Sequence, residues 1–357
     1  VNGPSWRAEI DRRSVLAGLV GVGAFLAVDL GAVAYANDWI RPAARFTRQT
    51  VIDGLRGVYG THLGFRKNHA KGVAVSGYFD STGNGSALST AAVFRSGRTP
   101  VLGRFSLAGG DPFVADTPGA ARGLGLAFDL PHRRQWRTAT LNLPVFPDNS
   151  AQGFLARAQA GKTVPGTGQP DPAKMAAFLQ AHPETAAAMR IIKKAPPTTG
   201  FADSTYSSLN TFYAVDAAGV RTPVRWSFVP LNTALPAGSG RDGLFDALVR
   251  QIRSTPLSWR LELVVGQASD PHDDATLPWP ADRQRIDAGT LTLTSARTEA
   301  PGNARDVNFD PLVLPDGLEP SADPLLSARS SVYAASYRLR TGEPSSPPAV
   351  QVDEVRA

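Results

Sequence analysis

The stretch Phe65-Arg66-Lys67-Asn68-His69-Ala70-Lys71-Gly72 sets an imidazole just ahead of an alternating apolar run, Val73 to Phe79, which leads into Asp80-Ser81-Thr82. Arg66 precedes the histidine by three residues and Gly72 follows it by three, where the chain turns. Near neutral pH an imidazole can both take a proton and return one, so this segment has the residue types for acid–base chemistry. A histidine in isolation more often fills a structural role. A second cluster, Asp270-Pro271-His272-Asp273-Asp274, has metal-ligand residue types, but an Asp-Pro start among polar residues reads as a solvated turn.

The elements that must position these residues follow from periodicity. Phe46 to Tyr59 spaces Val51, Ile52, Leu55 and Tyr59 as one helix face, and Gly60 closes it. Beyond it the period falls to two: Val73 to Gly77, Val101 to Ser106 and Leu124 to Leu130 read as strands. Phe212 to Val215 pairs through an Asp-Ala-Ala-Gly turn with Val224 to Phe228. Trp259 to Val265 and Thr290 to Thr294 add further strands, and Gly243 to Arg253 is an amphipathic helix with Leu244, Leu248, Val249 and Ile252 inward. Many strands with helices inserted between them imply an α+β fold on an antiparallel sheet or barrel. Ala160 to Pro172, Ala195 to Gly200, Leu231 to Gly240 and Ala268 to Thr276 read as loops.

His-Ala-Lys-Gly followed by Gly77-Tyr78-Phe79 resembles the catalytic-histidine region of haem catalases, and the resemblance continues in order. Arg104-Phe105-Ser106, Asp116 with Arg122-Gly123, and Pro144-Val145-Phe146 are similar to family segments. Asp323-Pro324-Leu325-Leu326 leads into Arg329-Ser330-Ser331-Val332-Tyr333, similar to the family's Arg-x-x-x-Tyr helix, and Arg340 follows at the family's spacing. The resemblance covers about residues 40 to 345 and implies a catalase-like antiparallel β-barrel with inserted and flanking helices.

The family's chemistry gives each matching residue an expected role. Tyr333 is the expected axial ligand of a ferric haem b iron, with Arg329 one turn away favouring its phenolate. On the other haem face, His69 takes a proton from peroxide and returns it to the departing oxygen, while Ser106 orients the imidazole. Arg66, Arg104 and Arg340 match the arginines that hold the haem propionates, Phe154 the ring stacked on the haem, and Phe146 one lining the approach channel. Two features depart from larger catalases. Leu141 stands where they carry an asparagine beside the histidine; Asn142 is one residue off, and a one-residue shift on a strand turns a side chain to the other face. The chain also ends soon after the tyrosine helix, as small catalase-related peroxidases do.

Composition bounds the remainder. Lys and Arg number 37 against 31 for Asp and Glu, a net charge of +6, and no basic run occurs, which argues against a nucleic-acid groove. The absence of cysteine excludes disulfides, thiol nucleophiles and iron–sulfur clusters. Asp11-Arg12-Arg13-Ser14-Val15-Leu16, an apolar stretch to Val28 and Ala34-Tyr35-Ala36 read as a twin-arginine export signal over residues 1–37, or an N-terminal membrane anchor if uncleaved. The domain expected for 38–345 would then work in a bacterial periplasm or cell envelope, with residues 346–357 a flexible tail. The expected activity is reduction of hydrogen peroxide or organic hydroperoxides with a small organic electron donor and weak catalase turnover, in a monomer or homo-oligomer. The alternatives are a catalase-fold enzyme that rearranges lipid hydroperoxides and a non-catalytic secreted haem-binding barrel.

Overall fold

The computed structural model describes residues 46–355, so the proposed export signal lies outside the described residues. A compact unit begins at Arg48. Its strands are β1 (Gly72–Ser81), β2 (Gly97–Leu107), β3 (Arg122–Leu130), β4 (Arg134–Leu141), β5 (Tyr206–Ser207), β6 (Phe212–Val215), β7 (Arg221–Pro230), β8 (Leu257–Val265), β9 (Arg285–Arg297) and β10 (Leu318–Pro320). β1 to β4 form a meander; β5 bridges β4 to β7, and β7, β8 and β9 return the sheet to β1. Eight antiparallel strands therefore close into a barrel, with β6 and β10 carried on β7. Closure leaves no long unpaired edge and fixes which residues face outward.

Alternation along the strands assigns the two faces. Val101, Phe105 and Leu107 of β2 and Leu124, Leu126 and Phe128 of β3 are buried in the barrel core with Trp136, Trp226 and Trp259. Each fully buried ring stabilises the fold by roughly 1.5–3 kcal/mol, and the polar tips are mostly satisfied. Trp226 Nε1 donates to Thr138 Oγ1 at 3.0 Å, and Trp259 Nε1 to the Ser204 carbonyl at 3.1 Å. With these odd-numbered β2 positions inside, Arg104 and Ser106 are left on the outer face. β4 escapes a hydrophobic-pattern reading because two of its inward residues, Thr138 and Thr140, are polar yet buried.

The helices are α1 (Arg48–Tyr59), α2 (Ala151–Ala160), α3 (Pro172–Ala181), α4 (Pro183–Lys194), α5 (Gly243–Ser254) and α6 (Pro324–Gly342). α1 ends as expected: Gly60 sits at φ 86°, and its N–H reaches the Arg56 carbonyl at 2.8 Å. α2 and α3 carry no sharp apolar period and rely on their alanine-rich composition for helix propensity, whereas α4 is amphipathic, with Thr185 and Ala188 buried. α6 starts on a side-chain cap, Asp323 accepting from Leu325 N at 2.9 Å with Pro324 in the first turn.

Two expectations are corrected by packing. The segment after 345 is no loose tail. Val350 and Val352 are buried in the core, and Arg253 donates to the carbonyls of Val355 and Val352 at 2.6 and 2.8 Å. Nor is Asp270 in a solvated turn: it is buried and accepts two 2.8 Å bonds from Arg283. The Asp-Pro-His motif is therefore a structural clamp, closed by His272 Nε2 on the Gln267 carbonyl at 2.9 Å.

Candidate active site

A cavity of about 320 Å³ lies between the outer face of β2 to β4 and helix α6, with α1 and α2 at its sides. His69, Ser106, Arg66, Arg104, Phe154, Arg329 and Tyr333 all line it, so the structure brings together seven of the eight site residues expected from sequence. The eighth, Arg340, is buried behind the wall and does not line the cavity.

On the barrel side, His69 Nδ1 lies 3.1 Å from Ser106 Oγ. In the tautomer that donates Nδ1–H to the serine, Nε2 is left as the basic nitrogen. Gly123 makes this pair sterically feasible: a Cβ there would fall 2.9 Å from Ser106 Oγ and 3.1 Å from His69 Cε1. Burial, with the nearby positive charges of Arg104, Arg329 and Arg66, drives the His69 pKa down to about 3. The imidazole is therefore neutral at neutral pH.

On the helix side, Arg329 and Tyr333 share a face of α6, with the guanidinium carbon 5.9 Å from the phenol ring centroid. Arg329 does more than flank the tyrosine. It donates to Asn210 Oδ1 and, at 2.9 Å, to the Ala139 carbonyl, which pins α6 to β4. Asn210 in turn donates to the capping Asp323 at 2.7 Å. The Tyr333 hydroxyl has no hydrogen-bond partner among the described residues, and the residue lines the cavity.

One end of the site is strongly cationic. Arg66 reaches the carbonyls of Ala304 and Val307 at 2.9 and 3.0 Å, and Arg340 reaches those of Arg305 and Val307. Burial, followed by repulsion from Arg104 and each other, pulls the Arg66 pKa well below its usual value; burial and Arg104 bring Arg340 to about 10. Arg104 is buried beside them, and the carboxylate interleaved with the three guanidiniums is Glu299. The three guanidiniums outnumber the nearby carboxylates, Glu299 and Asp306, and Arg340 Nε is buried without a partner. That donor set fits a dicarboxylate, which the two propionates of a haem supply.

The wall beside His69 is apolar. Leu141 pairs with Gly123 across the β3–β4 ladder and lines the cavity, whereas Asn142 turns away and accepts from Arg122 N at 2.6 Å. Asn142 thus cannot serve as the missing amide. Phe146 and Phe154 stack at 6.3 Å on the cavity wall, and Arg157 sits 5.8 Å from the Phe154 ring, itself held by buried Asp148. Asp116 and Arg122 act in the scaffold. Asp116 caps α5 and binds buried Lys71 at 2.6 Å, while Arg122 ties the Pro118 loop to the segment that carries Thr198 and Ser204. Sequence reading missed Glu299, Asn210 and the second cavity tyrosines, Tyr59 and Tyr337; Tyr337 shows itself only through its four-residue spacing from Tyr333 on α6.

A closed antiparallel barrel opposes a histidine–serine pair to an arginine–tyrosine helix across one cavity, with a cationic recess suited to carboxylates at one end. The chain belongs to the catalase family. The family model, described as Catalase, matches residues 61–347. The chain is 38% identical over 305 residues to a catalase-related peroxidase of Synechococcus elongatus, covering 84% of this chain and 90% of that protein. It is 30% identical over 303 residues to one of Mycolicibacterium paratuberculosis, covering 83% and 95%. A solved bacterial catalase superposes with a TM-score of 0.69 at 21% identity over 85% of this chain and 68% of that one, which shows the shared fold. Membership of this family implies a haem cofactor.

Proposed function

We propose that this chain is a haem b-dependent peroxidase that reduces hydrogen peroxide or organic hydroperoxides with a small organic electron donor and evolves oxygen only slowly. The observation that carries this reading is the apposition of His69 and Ser106 to Arg329 and Tyr333 across one cavity whose remaining wall beside the histidine is Leu141. A ferric haem would be held there by Tyr333, with Arg66 and Arg340 toward its carboxylates, and would supply the two electrons for O–O cleavage. His69 Nε2 takes the proton of the incoming hydroperoxide and delivers it to the oxygen that departs as alcohol or water. Ser106 keeps the imidazole plane fixed through that exchange. Two electrons and two protons from the donor balance the cycle, giving ROH and water from ROOH. Val51, Leu55, Phe146 and Phe154 make much of the cavity apolar, which suits the organic part of a hydroperoxide.

Leu141 decides between the two fates of peroxide. Oxygen evolution requires a second peroxide to be held beside His69, and a leucine offers it no hydrogen bond; an organic donor does not use that bond. Leu141→Asn is therefore expected to raise oxygen release relative to dye oxidation by about tenfold, the equivalent of ~1.4 kcal/mol from one added hydrogen bond. An oxygen electrode run beside a dye assay reads the ratio. Vigorous oxygen release by the wild type would show that Leu141 does not set the reaction. Analysis of products from a fatty-acid hydroperoxide adds a second check, since reduction yields the alcohol and rearrangement does not.

The place of action belongs to the same proposal: export to the periplasm or cell envelope, on the strength of Arg12-Arg13 and the apolar stretch that follows. Changing both arginines to lysine should leave the protein in the cytoplasmic fraction of a bacterial host. Unchanged export of that variant would remove the twin-arginine reading.

A further inference from the structure

The role of Glu299 follows from what it does to Arg104. Glu299 lies just past the end of β9, in a loop with no periodic pattern, yet its carboxylate meets Arg104 in a bidentate pair, Nε to Oε1 and Nη2 to Oε2, both 2.8 Å. The same guanidinium donates from Nη1 to the His69 carbonyl at 2.8 Å and from Nη2 to the Ala70 carbonyl at 3.1 Å. Four of its five N–H groups are therefore committed, which leaves little of it for a propionate. Gly72 leaves the passage that this guanidinium needs, since a Cβ there would lie 2.5 Å from Arg104 Cζ.

The two carbonyls that Arg104 grips belong to His69 and the residue after it, in a turn with left-handed backbone. His69 sits at φ 55°, in the left-handed region that residues other than glycine rarely adopt, and the turn is what aims its imidazole back at Ser106. A backbone held away from its preferred conformation stays there only while something fixes it. Arg104 adds two of the fixing bonds to that of Ala70 N on the Gly109 carbonyl at 2.9 Å, and without a carboxylate opposite it the neighbouring Arg66 and Arg340 would repel it from that position. A bidentate carboxylate sets both the position and the plane of a guanidinium, which a single hydrogen bond does not.

We propose that Glu299 is a positioning residue for His69: it holds Arg104 in the orientation that clamps the His69 and Ala70 carbonyls, so that the imidazole stays registered on Ser106 and the cavity. This rests on the reading of His69 as the acid–base group of a haem peroxidase. The alternative is that Glu299 and Arg104 merely fasten the 298–303 loop to the barrel, with no influence on the histidine.

The test uses the haem-loaded ferric protein and measures the association rate of cyanide, which arrives as HCN and needs a base beside the haem to take its proton. Glu299→Gln is expected to retain haem through Arg66 and Arg340 but to slow cyanide association about tenfold, within the range of coupling between groups that share a network. Introduced into a His69→Ala background, the same change is expected to slow association no further, because the group it positions is gone. Glu299→Asp, which restores the charge with a shorter reach, is expected to recover most of the lost rate and provides the readout if the glutamine variant does not fold. An equal slowing in both backgrounds would reduce Glu299 to a loop fastener, and a wild-type rate in Glu299→Gln would overturn its role altogether. Cyanide association unaffected by His69→Ala alone would instead bring down the acid–base reading of the histidine, and this inference with it.

Discussion

Tyr333→Phe is expected to yield a folded barrel that no longer holds haem. The substitution removes one oxygen and leaves the ring, so the packing of α6 against the cavity wall is kept. That hydroxyl has no hydrogen-bond partner among the described residues, and its loss orphans no protein group. The cost falls on the cofactor instead, because an anionic oxygen is the ligand with which this site would hold ferric iron. Three tyrosines line the cavity, so the assignment needs a control. Tyr337 lies one turn further along α6, with the Arg340 guanidinium 4.7 Å from its ring centroid, at the cationic end of the cavity, where haem carboxylates would sit. Tyr337→Phe should therefore keep haem and its spectrum. The haem-to-protein ratio and the Soret band read both variants, with a thermal melt to show that each is folded. Full haem content and an unshifted Soret band in Tyr333→Phe would move the ligand elsewhere.

What the sequence made legible depended on periodicity and on contiguous motifs. Alternation along β2 places Arg104 and Ser106 on one face, and the four-residue spacing of Arg329 and Tyr333 places them on one side of α6. Both arrangements survive in the structure because a closed barrel and a capped helix leave those faces no freedom to rotate. Residues whose contribution comes from loops were not legible. Glu299 and Asn210 lie outside any periodic element, and their partners Arg104 and Arg329 are 195 and 119 residues away in the chain. Arg104 shows the consequence. Its residue type and position suggest a propionate clamp, but the carboxylate that commits it to the His69 backbone becomes visible only in three dimensions. The C-terminal segment misled for a different reason: a run rich in proline and serine reads as loose, while a few valines spaced along it are enough to dock it on the core.

His69→Ala is expected to keep haem yet slow peroxide activation by about two to four orders of magnitude, the usual loss when a positioned acid–base group is removed. Haem should remain if Tyr333 holds it from the α6 side, whereas His69 is the imidazole paired with Ser106 among the described residues. The pH profile supplies an independent check. An unperturbed imidazole titrates near 6.5, so a solvated histidine would lose about nine-tenths of its basic form by pH 5.5. His69 is instead held down to about 3, first by burial and then by the charges of Arg104, Arg329 and Arg66. Activation in the wild type should accordingly stay level from pH 8 to 5 and fall only on approach to the lower value. The same depression carries a cost for stability. Between about pH 6.5 and 3 the unfolded chain binds a proton at this position that the folded chain refuses, so the His69 contribution to stability declines as pH falls through that window. Stopped-flow mixing with peroxide across this range, on the wild type and on His69→Ala, measures the rate loss and the pH profile, and urea melts at the same pH values measure the stability. An acid limb centred near 6.5 in the wild type would mean that the imidazole is open to water, and a near wild-type rate in the alanine variant would assign the proton transfer to another group.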